Sequence, residues 1–488
     1  MKVLMIGMDG VQIDTFQRGW TPFMESLVGS GQSLALEEDI MSRGWVEIFT
    51  GRHGTETGAL YERPELDGSY RWTDRCSLEG IPGLGESAKP LWQALNQRGY
   101  RVGIMNVPTT NPAPPIDGFF VSGGGGGRGV QQEVGEEQCY PSCIKETLDA
   151  MGYIVDERLG SLLDEKGLYA PDSFFRRLEE KCEKRADCFL ELSRTYSIDF
   201  GFIVFKSAMV MAETLIVPEL SRKRRGVQHN AGLISACEHF YRRFDRIIER
   251  LVKQFSDYEV VLASDHGTDE RTHDVNFNSV LDELGYQKSS LGKKGVSDGL
   301  KKLRNALPRT IVRRLKGSRQ ARKIVRAVTP FDPSRTRAFN ITHHQSSHGI
   351  FINDEKRFGG PVKSEEKFDL CRKIAADLNE HPVVRMRGMR AFLPDIPEGV
   401  FRDAYPDLYV KLPYGYAPSH ECDAFVAEVE WRDEPIDLRT IRDKGRRVSV
   451  KGRKPMAVIV GGEWLVALGN GRSDLRVIYD HVLRRFEE

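Results

Sequence analysis

Val260-Val261-Leu262-Ala263-Ser264-Asp265-His266-Gly267 is a run of aliphatic residues that ends in an acid, an imidazole and a glycine. A fully apolar run of this length is typical of a strand buried on both faces of a parallel sheet. In open α/β sheets, ligands bind at the carboxyl ends of such strands. The Asp-His pair could hold a divalent metal ion, or the Asp could cap a helix beside a hydrogen-bonded His. This octet alone leaves both interpretations open.

Composition places the chain among ordinary globular proteins. It has 488 residues, 40% hydrophobic and 29% charged, with a formal net charge of +1. The near-zero charge argues against nucleic acid as a specific partner. Eight cysteines in a chain of this length do not form a disulfide framework, so reduced thiols are expected. Without an apolar run long enough for a signal peptide or a membrane span, we expect a cytoplasmic location.

A second acid follows a second apolar strand near the start of the chain. Residues 2–8 form a short, mostly apolar strand that leads into Asp9-Gly10, where glycine permits a sharp turn. Further strands are predicted at 101–107, 198–205, 349–352, 406–410 and 456–460. Helices are predicted from Pro22, over 171–197 and 231–254, and from about Asp474. Strands that alternate with helices predict a doubly wound α/β sheet, with both acids at one edge.

Ser42 lies just before an amphipathic segment, Gly44 to Thr50. Amides at the start of a helix favour a phosphate or a developing oxyanion, which makes Ser42 a candidate nucleophile. A plain helix-capping serine is an equally good interpretation.

Residues 288–326 are strongly basic and almost free of acids. Such a run is usually a solvated face or a flexible insertion. It could instead lie on an anionic membrane surface or bind an acidic partner.

Taken together, these stretches resemble the type I phosphodiesterase/nucleotide pyrophosphatase branch of the alkaline phosphatase superfamily. The resemblance covers most of the chain outside the basic insertion. The stretches that carry it, in the family's order, are Ile6 to Gly10, Gly44 to Gly51, Gly103 to Thr109, Ile198 to Phe205, Ser264 to Gly267, Thr336 to Phe339, Gly349 to Asn353 and Pro406 to Leu408.

The resemblance implies an alkaline-phosphatase-like three-layer sandwich with a mostly parallel central sheet and loop or helical insertions. It divides the chain into a first part of the catalytic core at 1–287, the basic insertion at 288–335, and the second part of the core at 336–488. It also implies two metal ions, commonly zinc, and a Thr or Ser nucleophile. The ions would stabilise oxygens during in-line displacement at phosphorus.

Residue by residue, the resemblance assigns one metal site to Asp9, Asp265 and His266, with Ser42 as a bridging ligand. The nucleophile position itself falls on Met41, one residue before Ser42, and the family's proline in that loop is Arg43. The second metal site departs from the pattern. Its Asp and His positions read Met209 and Glu213, and its last His position reads Gly452. Methionine and glycine cannot replace a carboxylate and an imidazole as ligands of such an ion.

Two functions therefore stand side by side. The first is a metal-dependent phosphoesterase, of phosphodiesterase, pyrophosphatase or phosphotransferase type, that acts on a phosphorylated small molecule or a phosphodiester. It would use one zinc or manganese ion, Ser42 as nucleophile and Arg43 to bind phosphate. Weaker candidates for metal or base roles are Glu213, His229, His344 and His348. The alternative is a catalytically inactive binding or scaffold protein with the same fold.

Overall fold

The structure is a computed structural model. It describes residues 2–39, 41–73, 76–81, 84–85, 88–124, 134–155, 171–288, 331–341, 348–420, 422–430, 432–438, 448–465 and 474–487. The basic segment predicted at 288–326 therefore lies, apart from Lys288, outside the described residues.

The described strands are β1 (Val3–Met8), β2 (Gln32–Ser33), β3 (Arg63–Pro64), β4 (Trp72–Thr73), β5 (Val102–Met105), β6 (Gly118–Val121), β7 (Cys139–Tyr140), β8 (Phe200–Phe205), β9 (Glu259–Ala263), β10 (Gly267–Glu270), β11 (His273–Val275), β12 (Ala338–Phe339), β13 (Gly349–Ile352), β14 (Arg390–Phe392), β15 (Leu408–Lys411), β16 (Tyr416–Pro418), β17 (Val426–Glu428), β18 (Ser449–Gly452) and β19 (Ala457–Val460).

The described helices are α1 (Pro22–Ser30), α2 (Gly44–Thr50), α3 (Gly54–Thr57), α4 (Leu91–Asn96), α5 (Ile144–Ala150), α6 (Pro171–Tyr196), α7 (Ser207–Arg224), α8 (Ala231–Gln254), α9 (Phe277–Glu283), α10 (Glu355–Phe358), α11 (Lys367–Glu380), α12 (Pro382–Met386) and α13 (Arg476–Arg485). Short 3-10 helices cover Ile13–Phe16, Glu136–Gln138, Ser364–Glu366 and Arg402–Ala404.

An eight-stranded sheet organises the molecule, with strand order β2-β19-β9-β1-β8-β5-β6-β7. The five strands from β9 to β6 in this order are mutually parallel, while β19, β2 and β7 are antiparallel to their neighbours. Four smaller sheets are described as well. One has four strands in the order β12-β13-β15-β14, and one has three in the order β16-β11-β17. The other two are the pairs β10-β18 and β3-β4. The predicted mostly parallel sheet is confirmed.

Apolar residues on both faces of the parallel strands explain the layered arrangement. In β1, Leu4 and Ile6 join one hydrophobic cluster, and Val3 and Met5 join the other. Helices α1, α6, α7 and α8 contribute to the first cluster, and α2, α4 and α13 to the second. A strand that is apolar on both faces needs a helical layer on each, so the sequence pattern itself produces the three-layer sandwich.

The register between β1 and β9 places Asp9 and Asp265 at the same height along the two strands. Gly7 pairs with Ala263 across the parallel ladder. Asp9 and Asp265 each lie two residues beyond that pair, at the carboxyl edge of adjacent strands. The two loops are also tied together, since the Ser264 hydroxyl donates to the carbonyl of Val11 at 2.7 Å.

Two further expectations concern thiols and membrane spans. All eight cysteines are free. No helix among the described residues combines the length and the apolar character that crossing a bilayer requires.

Candidate active site

Asp9, Asp265 and His266 form a compact group at the carboxyl edge of the central sheet. One ligand atom from each residue lies within 4.8 Å of the other two, and all three residues are buried. His266 Nε2 is 3.7 Å from Asp9 Oδ1 and 3.5 Å from Asp265 Oδ2. The structure therefore brings together the side chains that a metal site at the end of Val260–Gly267 requires.

The His266 imidazole is oriented for metal binding. Its Nδ1 lies 2.7 Å from the Gly267 carbonyl oxygen, which can only accept a hydrogen bond. Nδ1 therefore carries the proton, and the lone pair of Nε2 faces the two carboxylates. Burial, together with the positive charge of Lys451, lowers the pKa of His266 to about 4. At neutral pH the ring is uncharged, which is the form that binds a metal ion.

Each carboxylate is held by an aromatic side chain. The Trp45 indole donates to Asp9 Oδ2 at 3.1 Å, and the Tyr61 hydroxyl donates to Asp265 Oδ2 at 3.3 Å. Trp45 reaches Asp9 because position 7 is glycine. A Cβ at Gly7 would approach the indole ring to 2.7 Å.

The donor set fits a divalent cation. Among the described residues Asp265 Oδ1 is buried and accepts no hydrogen bond. Burial and the neighbouring charge of Asp265 raise the pKa of Asp9 to about 6, and burial raises that of Asp265. Two close buried carboxylates and an unsatisfied oxygen are stabilised by a cation between them. Two carboxylates and one imidazole also leave coordination positions open, as in catalytic zinc sites.

Cationic side chains border this group, and one of them, Lys451, is absent from the sequence expectations. The Lys451 ammonium lies 3.3 Å from the centroid of the Tyr61 ring, and the Arg43 guanidinium lies 5.0 Å from the same centroid. Arg43 Nε also donates to the Leu60 carbonyl at 3.1 Å. Burial lowers the pKa of Lys451 to about 7, although Asp265 and Asp9 act in the opposite direction. The edge therefore combines acids with cations.

The Ser42 hydroxyl lies in a separate network from the three predicted ligands. Its Oγ accepts from the Gly54 amide at 3.1 Å and lies 3.1 Å from His53 Nε2. His53 Nδ1 accepts from the Thr55 amide, so Nε2 carries the proton and donates towards Ser42 and Asp39. No hydrogen bond joins Ser42 to Asp9, Asp265 or His266 in the described structure. Its predicted roles as nucleophile and metal ligand stay predictions.

Beneath this network lies a pair of buried glutamates. Burial, followed by the charges of Asp39 and Asp474, raises the pKa of Glu38 to about 8. Burial and the charge of Glu38 likewise raise the pKa of Glu47. Glu38 accepts from the Leu475 amide at 2.8 Å, which fixes it against the start of α13.

The free energy of unfolding is expected to fall as the pH rises through the range in which these glutamates lose their protons. Between pH 4.5, the ordinary pKa of a glutamate, and pH 8, the folded chain holds the Glu38 proton more tightly than the unfolded chain. The free energy of unfolding should therefore decrease over that window, by up to about 1.4 kcal/mol per pH unit, and level off above it. Urea unfolding at several pH values should give a shallower decline for Glu38→Gln, and an unchanged one for the exposed neighbour in Glu37→Gln. Equal slopes for Glu38→Gln and the parent would contradict this assignment.

Glu213 is held away from the predicted ligands by charge pairing. Its carboxylate contacts Arg18 at 2.6 Å and accepts from the Thr15 hydroxyl at 3.0 Å and from the Tyr241 hydroxyl. The side chain of Glu213 is fully buried. Glu213 is therefore part of a buried ion pair and does not contact the three clustered residues in the described structure.

The other positions of the implied second metal site also have structural surroundings. Met209 is buried in the apolar cluster beneath the sheet. Gly452 pairs with Gly267 in the β10–β18 ladder, where a Cβ would approach Asp269 Oδ1 to 2.9 Å. The structure does not bring these positions together as a metal site.

Of the remaining weak candidates, His229 and His348 do not join the cluster of Asp9, Asp265 and His266. His229 Nδ1 lies 3.2 Å from the Val227 carbonyl oxygen, and the buried His348 ring stacks on Tyr409 at 5.7 Å. His344 lies outside the described residues.

Comparison with known proteins supports a hydrolase. The family model for type I phosphodiesterase / nucleotide pyrophosphatase matches residues 3–329. No curated protein matches the sequence significantly. The catalytically inactive alternative, and an acidic partner for the basic segment, find no support in these comparisons.

A solved hydrolase structure has the same fold. A phosphonoacetate hydrolase from Sinorhizobium meliloti 1021, in complex with phosphonoformate, is 13% identical with a TM-score of 0.52, and the match covers 99% of this chain and 95% of that one. Murine ectonucleotide pyrophosphatase / phosphodiesterase 5 is 11% identical with a TM-score of 0.45, over 100% and 95% of the two chains.

The family match covers well over half of the chain and contains all three clustered residues. The fold agrees with it, since the first of these structures aligns over nearly the whole chain. Type I phosphodiesterases and nucleotide pyrophosphatases are hydrolases that act on phosphoester bonds. This protein belongs to the type I phosphodiesterase / nucleotide pyrophosphatase family.

Proposed function

We propose that the protein is a metal-dependent phosphoesterase that binds one divalent cation through Asp9, Asp265 and His266. The observation that supports this most is the convergence of three buried ligand atoms within 4.8 Å, with Asp265 Oδ1 left without a hydrogen-bond donor among the described residues. An imidazole with two carboxylates suits zinc, and manganese is the second choice. The substrate class is a phosphodiester, a phosphoanhydride or another phosphorylated small molecule.

The chain's own residues prepare the site for a phosphoryl group. When bound, the cation would supply a Lewis acid for a phosphoryl oxygen. Trp45 and Tyr61 fix the orientation of the two carboxylates, and the Gly267 carbonyl fixes that of the imidazole. Arg43 adds a planar cation that matches phosphate geometry at the rim of the same site.

Ser42 is the proposed nucleophile. Its oxygen is flanked by the Gly54 amide and by His53 Nε2, and both are hydrogen-bond donors in the arrangement described above. Donors that point at a hydroxyl oxygen favour its ionised form, which is the form that attacks phosphorus.

Loss of the hydroxyl should affect turnover without affecting metal content. Ser42→Ala is expected to lower kcat for bis-p-nitrophenyl phosphate by about 100-fold, with an unchanged ratio of metal to protein. Ser33→Ala, which alters an exposed serine, serves as the control. Undiminished hydrolysis by Ser42→Ala would remove Ser42 from the mechanism and leave the metal site unaffected.

Chelation tests the proposed function itself. Removal of divalent ions should abolish hydrolysis of the same diester, and addition of zinc or manganese should restore it. Hydrolysis that persists in fully demetallated protein would contradict metal dependence.

A further inference from the structure

Lys451 reaches the edge of the site through the strand ladder that begins beside His266. Strand β10 starts at Gly267, and β18 runs antiparallel to it, so that Gly267 pairs with Gly452 and Thr268 pairs with Lys451. The ladder therefore fixes the lysine opposite Thr268, two residues beyond His266, although the two strands are far apart in the chain.

Tyr61 connects this lysine to the carboxylates. The face of its ring carries the Lys451 ammonium at 3.3 Å, and its hydroxyl donates to Asp265 Oδ2 at 3.3 Å. A cation over an aromatic face is attracted by the ring's negative potential. The tyrosine thus contacts both the Lys451 ammonium and the Asp265 carboxylate.

The Lys451 ammonium does not pair with the nearby acids in the described structure. Within the part of the chain that the structure describes, Lys451 forms no salt bridge with Asp9 or Asp265, and its side chain is half-buried. Asp9 and Asp265 are nevertheless the groups whose charges act on it most strongly. A lysine that only neutralised these acids would contact them directly.

We propose that Lys451 binds a non-bridging oxygen of the substrate's phosphoryl group, next to the cation held by Asp9, Asp265 and His266. This inference rests on the proposed function. A phosphoryl group carries negative charge on several oxygens, and a half-buried ammonium with free donors forms charge-assisted hydrogen bonds to one of them. Lys451 is thereby assigned to substrate binding, whereas the cation site itself is complete without it.

Inorganic phosphate is the probe for the first experiment. Its dissociation constant is measured by titration calorimetry in zinc-loaded parent protein, Lys451→Gln, Lys451→Arg and Lys454→Gln, with zinc content determined in parallel. Lys451→Gln should bind phosphate about 10- to 100-fold more weakly at unchanged zinc content. Lys451→Arg should retain most of the affinity, and Lys454→Gln, which changes an exposed lysine three residues away, should match the parent.

The outcomes separate this inference from the proposed function. Equal phosphate affinity in Lys451→Gln and the parent, both zinc-loaded, would overturn the role of Lys451 alone. Failure of the parent to bind either zinc or manganese would overturn the proposed function.

A second measurement needs no variant and covers the case in which Lys451→Gln does not fold. Amine acylation of the zinc-loaded parent is followed at each lysine by mass spectrometry. Phosphate should slow the modification of Lys451 and leave that of Lys454 unchanged. Equal rates for Lys451 with and without phosphate would contradict the proposal.

Discussion

Replacing Asp265 by alanine is expected to lower phosphodiester hydrolysis by about 1000-fold or more and to remove the bound metal ion. Asp265 provides Oδ2 next to His266 and the unpaired Oδ1, so two of the oxygens that face the site disappear together. Tyr61 loses its acceptor at the same time. The measurement is diester hydrolysis together with metal content by mass spectrometry after dialysis against zinc.

Two variants make this experiment specific. Asp265→Asn keeps the shape of the side chain and an acceptor for Tyr61 but removes the charge, so it should lose most of the metal while the fold is retained. Asp257→Ala removes an exposed acid whose partner is the exposed Lys2, and it should behave like the parent protein. Full metal content and full activity in Asp265→Ala would contradict the assignment of Asp265 as a ligand.

Replacing Glu213 by alanine is expected to lower the free energy of unfolding by about 3–5 kcal/mol while the metal content of the folded protein is unchanged. The substitution leaves Arg18, whose side chain is 13% exposed, without the carboxylate that pairs with it. The charge of Glu213 raises the pKa of Arg18, while burial acts in the opposite direction. Because a guanidinium does not deprotonate in proteins, Arg18 stays charged when its partner is lost. Urea unfolding measures the change.

Glu180→Ala is the matched control, because Glu180 is an exposed glutamate on the long helix α6. It should change the free energy of unfolding by less than about 0.5 kcal/mol. If Glu213→Ala instead kept its stability and lost metal, Glu213 would be a ligand, and its pairing with Arg18 would not explain its burial.

The fold was predictable because the central strands are recognisable as short apolar runs in the sequence. Strands β1, β8 and β9 are buried along their whole length, as the apolar runs predicted at 2–8, 198–205 and 260–263 indicate. Each of two such runs ends in an acid, and parallel strands place such ends at one edge. The convergence of Asp9 and Asp265 therefore follows from sequence pattern and topology together.

The surroundings of the site were not predictable, since they depend on contacts between distant parts of the chain. Lys451 lies next to the acids only through the β10–β18 ladder, and Tyr61 only through a loop that shows no periodic pattern. Glu213 looked available for metal binding because its partner Arg18 is 195 residues away. Neither a lysine in an ordinary strand nor a glutamate in a helix reveals such partners by spacing.

The basic insertion and the cytoplasmic location stay predictions from composition. The segment at 289–330 lies outside the described residues, so the proposed division of the chain at 288 and 335 rests on the sequence pattern alone. These predictions do not affect the site, whose three clustered residues lie in the described part of the chain.

Metal stoichiometry tests the central claim most directly. Purified protein is demetallated, incubated with zinc or with manganese, dialysed, and analysed for metal and protein content. About one divalent ion per chain is expected, because only one group of three clustered ligands occurs among the described residues. Protein that remains metal-free after both incubations would contradict it.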